Sequence, residues 1–190
     1  MRVGRTSPGA ALLLMTLLGC SDRDGIVEVS WQVEDASLER LYPLGFESDT
    51  CELSSASTEQ STGARYDLRV RLTIAFNTDA CAADHSTADC QVIEPILFPC
   101  NRFRGTALDV PPSAEDDESD PGYLMVVEPM IDPTDAEPFV ASSTCIASPG
   151  PRVRRVRAGR ITDLEVYQFI VLAIEHDDGQ LLDIEGCRPP

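Results

Sequence analysis

The clearest signal in the chain is a run of residues that alternate between apolar and polar. Ile26 to Glu34, IVEVSWQVE, places Val27, Val29, Trp31 and Val33 on one face and Glu28, Ser30, Gln32 and Glu34 on the other. A period of two describes a half-buried β-strand. Tyr66 to Phe76, YDLRVRLTIAF, does the same over a longer stretch. Tyr66, Leu68, Val70, Leu72, Ile74 and Phe76 point one way, and Asp67, Arg69, Arg71 and Thr73 the other. Phe103 to Val110 and Tyr123 to Met130 predict further strands, with shorter ones over Phe139 to Ile146 and Arg152 to Arg157. Ser37 to Tyr42 has helical spacing at Leu38, Leu41 and Tyr42 and predicts one helical turn ended by Pro43. The rest of 35–64 reads as loop.

Leu164 to Ile174 is apolar enough for a buried helix. Its β-branched and aromatic content (Val166, Tyr167, Phe169, Ile170, Val171, Ile174) favours a central strand instead. Asp178-Gly179 then predicts a tight turn, with Gln180 to Ile184 returning as a hairpin partner. Seven or eight short strands separated by Pro- and Gly-rich turns predict an all-β protein, an antiparallel β-sandwich. ALDVPPS, followed after an acidic insert by DPGYLMVVEP, resembles the strand, Pro-Gly turn, tyrosine, strand pattern of small immunoglobulin-like or prealbumin-like sandwich modules. Residues 113–120 lengthen the turn relative to that pattern. The chain as a whole also resembles uncharacterised bacterial lipoproteins of this size, a likeness that implies no particular activity.

The amino-terminal segment follows a different logic. Arg2 and Arg5 are the only charges before Cys20, and Ala10 to Leu18 is apolar apart from Thr16. A bilayer-spanning helix needs ~20 apolar residues. This core is about half as long, which is the dimension of a secretory signal peptide. Leu17-Leu18-Gly19-Cys20 resembles the lipobox of bacterial lipoproteins, with a branched apolar residue three positions before the cysteine and a small residue directly before it. The resemblance implies removal of residues 1–19 and lipidation of Cys20, a palmitate-type anchor followed by a tether over residues 20–25 and one domain over 26–190. Two acyl chains already hold a protein stably on a bilayer. Ser21, in place of the acidic residue associated with inner-membrane retention, points to an outer-membrane lipoprotein facing the periplasm or the cell surface.

Cysteine parity changes the picture in the same direction. Seven cysteines is an odd number for an exported chain. With Cys20 acylated, Cys51, Cys81, Cys90, Cys100, Cys145 and Cys187 remain, enough for three disulfides in an oxidising compartment. Cys81, Cys90 and Cys100 with His85 also raise a metal site, but zinc ligand pairs typically stand about two to four residues apart. Disulfides are therefore the reading, with no metal or cofactor. The preferred link is Cys81 to Cys90, and Cys187 is expected to pin the carboxy-terminal tail.

Removal of residues 1–19 leaves 171 of 190 residues, and loss of Arg2 and Arg5 takes the net charge from −17 to −19. Such a chain repels nucleic acid and anionic head groups at long range. One basic stretch opposes the trend: Arg152, Arg154, Arg155, Arg157 and Arg160. It offers donors for an anionic glycan or a lipid A phosphate, or for the protein's own acidic surface. Glu115-Asp116-Asp117-Glu118-Ser119-Asp120 offers oxygens for calcium but lacks the EF-hand spacing, and a solvated loop is the plainer reading.

His85 and His176 are the only imidazoles for acid–base work, and there is no nucleophile elbow or phosphate loop. The expected role is non-catalytic, a lipid-anchored envelope protein that binds a protein or glycan partner, adheres, or builds the envelope. A hydrolase using two carboxylates and a calcium-stabilised interaction module are the alternatives. Leu41 to Phe46, LYPLGF, is the candidate apolar patch, with core packing as the plainer reading.

Overall fold

The computed structural model describes residues 24–41, 51–54, 65–113, 120–133, 136–172 and 187–189. They form two β-sheets packed face to face. The strands are β1 (Gly25–Asp35), β2 (Glu52–Ser54), β3 (Arg65–Phe76), β4 (Ile96–Pro99), β5 (Arg104–Val110), β6 (Tyr123–Pro133), β7 (Phe139–Val140), β8 (Ile146–Ala147), β9 (Arg152–Arg154) and β10 (Ile161–Val171). A single short helix, α1 (Asp79–Ala83), is present among the described residues.

The first sheet runs β5-β1-β10-β8. The second is built on the long β3–β6 ladder, with β2 and β4 pairing the far side of β3, and β7 and β9 the far side of β6. The inner faces follow the sequence alternation. Val27, Val29, Trp31 and Val33 of β1 bury against Leu68, Val70, Leu72 and Ile74 of β3 and Met125, Val127 and Ile131 of β6 in one core. Trp31 stacks on Phe98 at 5.9 Å, and its indole N–H donates to the Cys100 carbonyl at 2.8 Å. Gly105 exists for this ring: a Cβ there would stand 2.6 Å from Phe98.

The structure departs from the sequence reading in several places. β1 pairs β10 in parallel, whereas every other ladder among the described residues is antiparallel. The strand alternative for the 164–174 region holds over Ile161–Val171, because this segment fills the second edge of β1. β2 and β4 were not predicted; each is too short to show a period. The 139–146 strand is two short strands, and 152–157 pairs only over 152–154.

The helical turn expected at 37–42 is instead a tight loop after β1. The buried Asp35 carboxylate accepts the Ser37 and Glu39 amides at 2.8 and 2.9 Å, and Leu38 adopts φ 65°. The left-handed Leu38 excludes a continuing helix, and the Asp35 carboxylate closes the loop instead. Tyr42 to Phe46, the 178–184 hairpin and the amino-terminal segment to residue 23 lie outside the described residues.

Two bulges set the shape of the first sheet. Between Gly25 and Val27 of β1, β5 advances three residues, and between Glu28 and Ser30 β10 does the same. The extra residues include Asp109 at φ 56° and Glu165 at φ 64°, left-handed positions that relieve the added length. The second bulge shifts the β10 alternation, so that Leu164, Tyr167, Phe169 and Val171 all face the core while Val166 faces out.

Candidate binding surface

The six described cysteines join as Cys51–Cys100, Cys81–Cys90 and Cys145–Cys187, with Cα separations of 5.7, 5.3 and 5.2 Å. These lie inside the disulfide range. The short 81–90 link closes the α1 excursion. Thr78 caps α1 by accepting the Cys81 amide, and Val92 returns to Ile74 at the end of the loop. The 145–187 link ties the tail beside β8, where Ser142 donates its amide to the Cys187 carbonyl.

His85 stands in the clamped excursion, beside a ladder of ion pairs on the outer face of the second sheet. Arg71 lies directly across from Glu128 and binds it at 2.8 Å; Arg69 reaches Asp132 at 2.7 Å. His85 Nε2 approaches the other Glu128 oxygen at 3.4 Å. Both carboxylate oxygens are thus engaged, so Glu128 serves to hold the excursion onto the sheet. Asp84, fully exposed, has its pKa lowered chiefly by the Ser86 hydroxyl and amide, which stabilise its ionised form. Sequence reasoning put Arg69 and Arg71 on the outer face but had no means of finding their partners, since register between distant strands is a tertiary property.

The arginine stretch divides into two groups. Arg152 and Arg154 turn inward. Arg152 lies 4.1 Å above the Tyr167 ring centre and donates to the carbonyls of Leu164 and Val166, the two that flank the bulge residue. Glu165 sits 3.6 Å from Arg152 and 3.8 Å from Arg154. This supplies the acidic pairing expected of the stretch, for these two residues. Burial is the largest influence on Tyr167 and raises its pKa, opposed by Arg152 and Arg154 and reinforced by Glu165.

The remaining three arginines, Arg155, Arg157 and Arg160, are exposed around the turn that leads into β10. Arg155 donates to the Asp120 carbonyl at 3.2 Å. That turn is stitched to the start of β1: Gly159 donates to Asp24, and Ile26 to Arg160.

No protein family, curated protein or solved structure matches this chain.

Gly122, at φ 70°, makes the turn into β6, and the Tyr123 hydroxyl donates to the Pro112 carbonyl at 3.2 Å. This bond joins the two ends of the acidic insert. Of the calcium candidate only Asp120 is described; it accepts the Gly122 amide at 2.9 Å. Among the described residues no three His, Cys, Asp or Glu side chains converge on a metal position. His176 and Cys20 lie outside the described residues, and of the LYPLGF patch only Leu41 is described, packed against the core.

Proposed function

We propose that this protein is a bacterial envelope lipoprotein, anchored through acylated Cys20, whose disulfide-braced sandwich serves a non-catalytic binding, adhesive or structural role at the outer membrane. Cysteine accounting carries the reading. The six described cysteines use one another up, which leaves Cys20 of the seven, at the end of the lipobox-like Leu17 to Cys20. Three disulfides belong to an oxidising compartment. A non-catalytic role is supported by the way the described imidazole is used, since its carboxylate neighbour Glu128 is already bound by Arg71.

Intact-mass spectrometry of the membrane fraction, before and after reduction, tests this directly. The expected species lacks residues 1–19, carries acyl chains, and gains the mass of six hydrogens on reduction. A chain that retains Met1 and gains nothing on reduction overturns the reading.

A further inference from the structure

The parallel pairing of β1 and β10 places the starts of both strands at one end of the sandwich, and that end is where the chain leads back to Cys20. Three apolar residues stand there in one row across the sheet. Ile26 of β1 pairs Ile161 of β10, and the Leu108–Asp109 bulge of β5 stands opposite Ile26 on the other side. Leu108 and Ile161 are each 60% exposed, the largest exposures of any described apolar side chain apart from Leu38 at the opposite end. Arg157 and Arg160, both exposed, border the row on the turn bonded to Asp24 and Ile26.

Three residues separate Cys20 from Asp24, four Cα steps with a reach of at most about 14 Å for a fully extended chain. Acyl chains on Cys20 would fix its sulfur at the membrane interface, so this pole would never stand far from the head groups. Exposed Leu108 and Ile161, with half-buried Ile26 between them, would otherwise remain in water beside a lipid surface. Exposed apolar side chains next to arginine are the composition of an interfacial contact, in which the guanidinium takes phosphate oxygens while its stem covers apolar surface. Asp109 and Asp163 share the pole, so burial of the apolar row, rather than attraction of net charge, leads the contact.

We infer that Leu108, Ile26 and Ile161, flanked by Arg157 and Arg160, form a membrane-seating face. It docks the base of the sandwich onto the head-group layer of the bilayer that holds its own acyl chains, and so fixes the orientation of the domain. This rests on acylation of Cys20 and adds to it a defined pose.

The test is amide hydrogen exchange on the acylated protein reconstituted in phosphatidylcholine vesicles, with its modification verified by mass. The soluble comparison is the Cys20→Ser chain without residues 1–19. Amides of 106–110 and 157–163 are expected to exchange several-fold more slowly in the vesicle-bound protein, while those of the β3 centre stay unchanged. The double variant Leu108→Ser, Ile161→Ser should keep the vesicle association and the β3 protection but lose the added protection at the pole. Vesicle-bound protein without polar-end protection, or protection that survives the double variant, overturns the inference and leaves the anchor standing. An unmodified Cys20 in the mass spectrum overturns the anchor itself, and the seating face with it.

Discussion

The guanidinium of Arg152 lies 4.1 Å from the centre of the Tyr167 ring and joins the two sheets. Arg152 belongs to β9, on the edge of the second sheet, and Tyr167 to β10, in the first. β8 pairs β10 only at Ile170 and Val171, and Arg152 donates to the Leu164 and Val166 carbonyls on either side of the Glu165 bulge. A planar cation with several N–H groups is suited to stacking on a ring while donating at its rim; an ammonium is not. Arg152→Ala is expected to lower unfolding free energy by about 2–3 kcal/mol, since it removes the stack and leaves carbonyl acceptors without their charged donor. Arg152→Lys should recover less than half of that loss. Urea unfolding of the two variants checks both numbers, and full recovery by lysine would show that charge alone is what the site requires.

Tyr167 itself offers a test in the opposite direction. Its side chain is fully buried, and its hydroxyl finds no hydrogen-bond partner among the described residues. Leaving a buried hydroxyl unpaired costs about 1–3 kcal/mol, while the ring carries the contact with Arg152. Tyr167→Phe should therefore raise the stability by about 1 kcal/mol, read as a higher urea midpoint at unchanged slope.

The same residue sets an alkaline limit. Burial raises the Tyr167 pKa above the ordinary tyrosine value of 10.0. Tyr123 is raised too, by burial first and Asp120 second. A group whose pKa is higher when folded gives up proton-linked stability as pH climbs from the unfolded value through the folded one. The protein should keep its melting temperature up to about pH 10 and lose it beyond, with phenolate absorbance appearing together with unfolding. In Tyr167→Phe the decline should be shallower. An identical alkaline decline in the two proteins would exclude Tyr167 as its source.

The disulfides differ in what they constrain. Cys81 and Cys90 are 9 residues apart, Cys51 and Cys100 49. Loop-closure entropy assigns roughly 2.6 kcal/mol to the short bridge and about 4 kcal/mol to the long one. Replacing both cysteines of each pair with alanine should reproduce that order. Loss of the 81–90 bridge should also speed amide exchange across the α1 excursion before it does so in β3, because His85 and Glu128 become the excursion's main remaining side-chain tie to the sheet.

The lone tryptophan reports on the junction between sheets. Its N–H bond to Cys100 is buried, so Trp31→Phe leaves that carbonyl with the Phe103 amide alone and opens space beside Phe98. A loss of about 2–3 kcal/mol is expected in calorimetry. Gly105→Ala should cost about 1–3 kcal/mol at the same junction from overpacking, since the added methyl displaces the Phe98 ring.

Much of this protein is written locally. Alternation over 26–34 and 66–76 specified two central strands and their buried faces, because a side chain's face in a strand depends only on its own parity. Cysteine count and spacing pointed to the 81–90 bridge for a similar reason, since nine residues restrict where the chain can go. The helical spacing at 37–42 misled, because Leu38 takes a left-handed φ of 65° in a tight loop that the Asp35 carboxylate closes by accepting the Ser37 and Glu39 amides.

Tertiary structure alone decided the parallel β1–β10 ladder, the two bulges beside β1 and the partners of Arg71 and Arg152. Each of these joins segments that are not neighbours in the chain, 12 residues apart for Arg152 and Leu164 and 57 for Arg71 and Glu128, and neither register nor strand direction between separate segments leaves a mark on residue periodicity. A bulge also resets parity within a strand, which is why Val166 faces out where simple alternation from Leu164 would turn it in. The chain determined which residues seek burial; only the packing of the two sheets decided which polar and apolar groups the base of the sandwich would leave facing out.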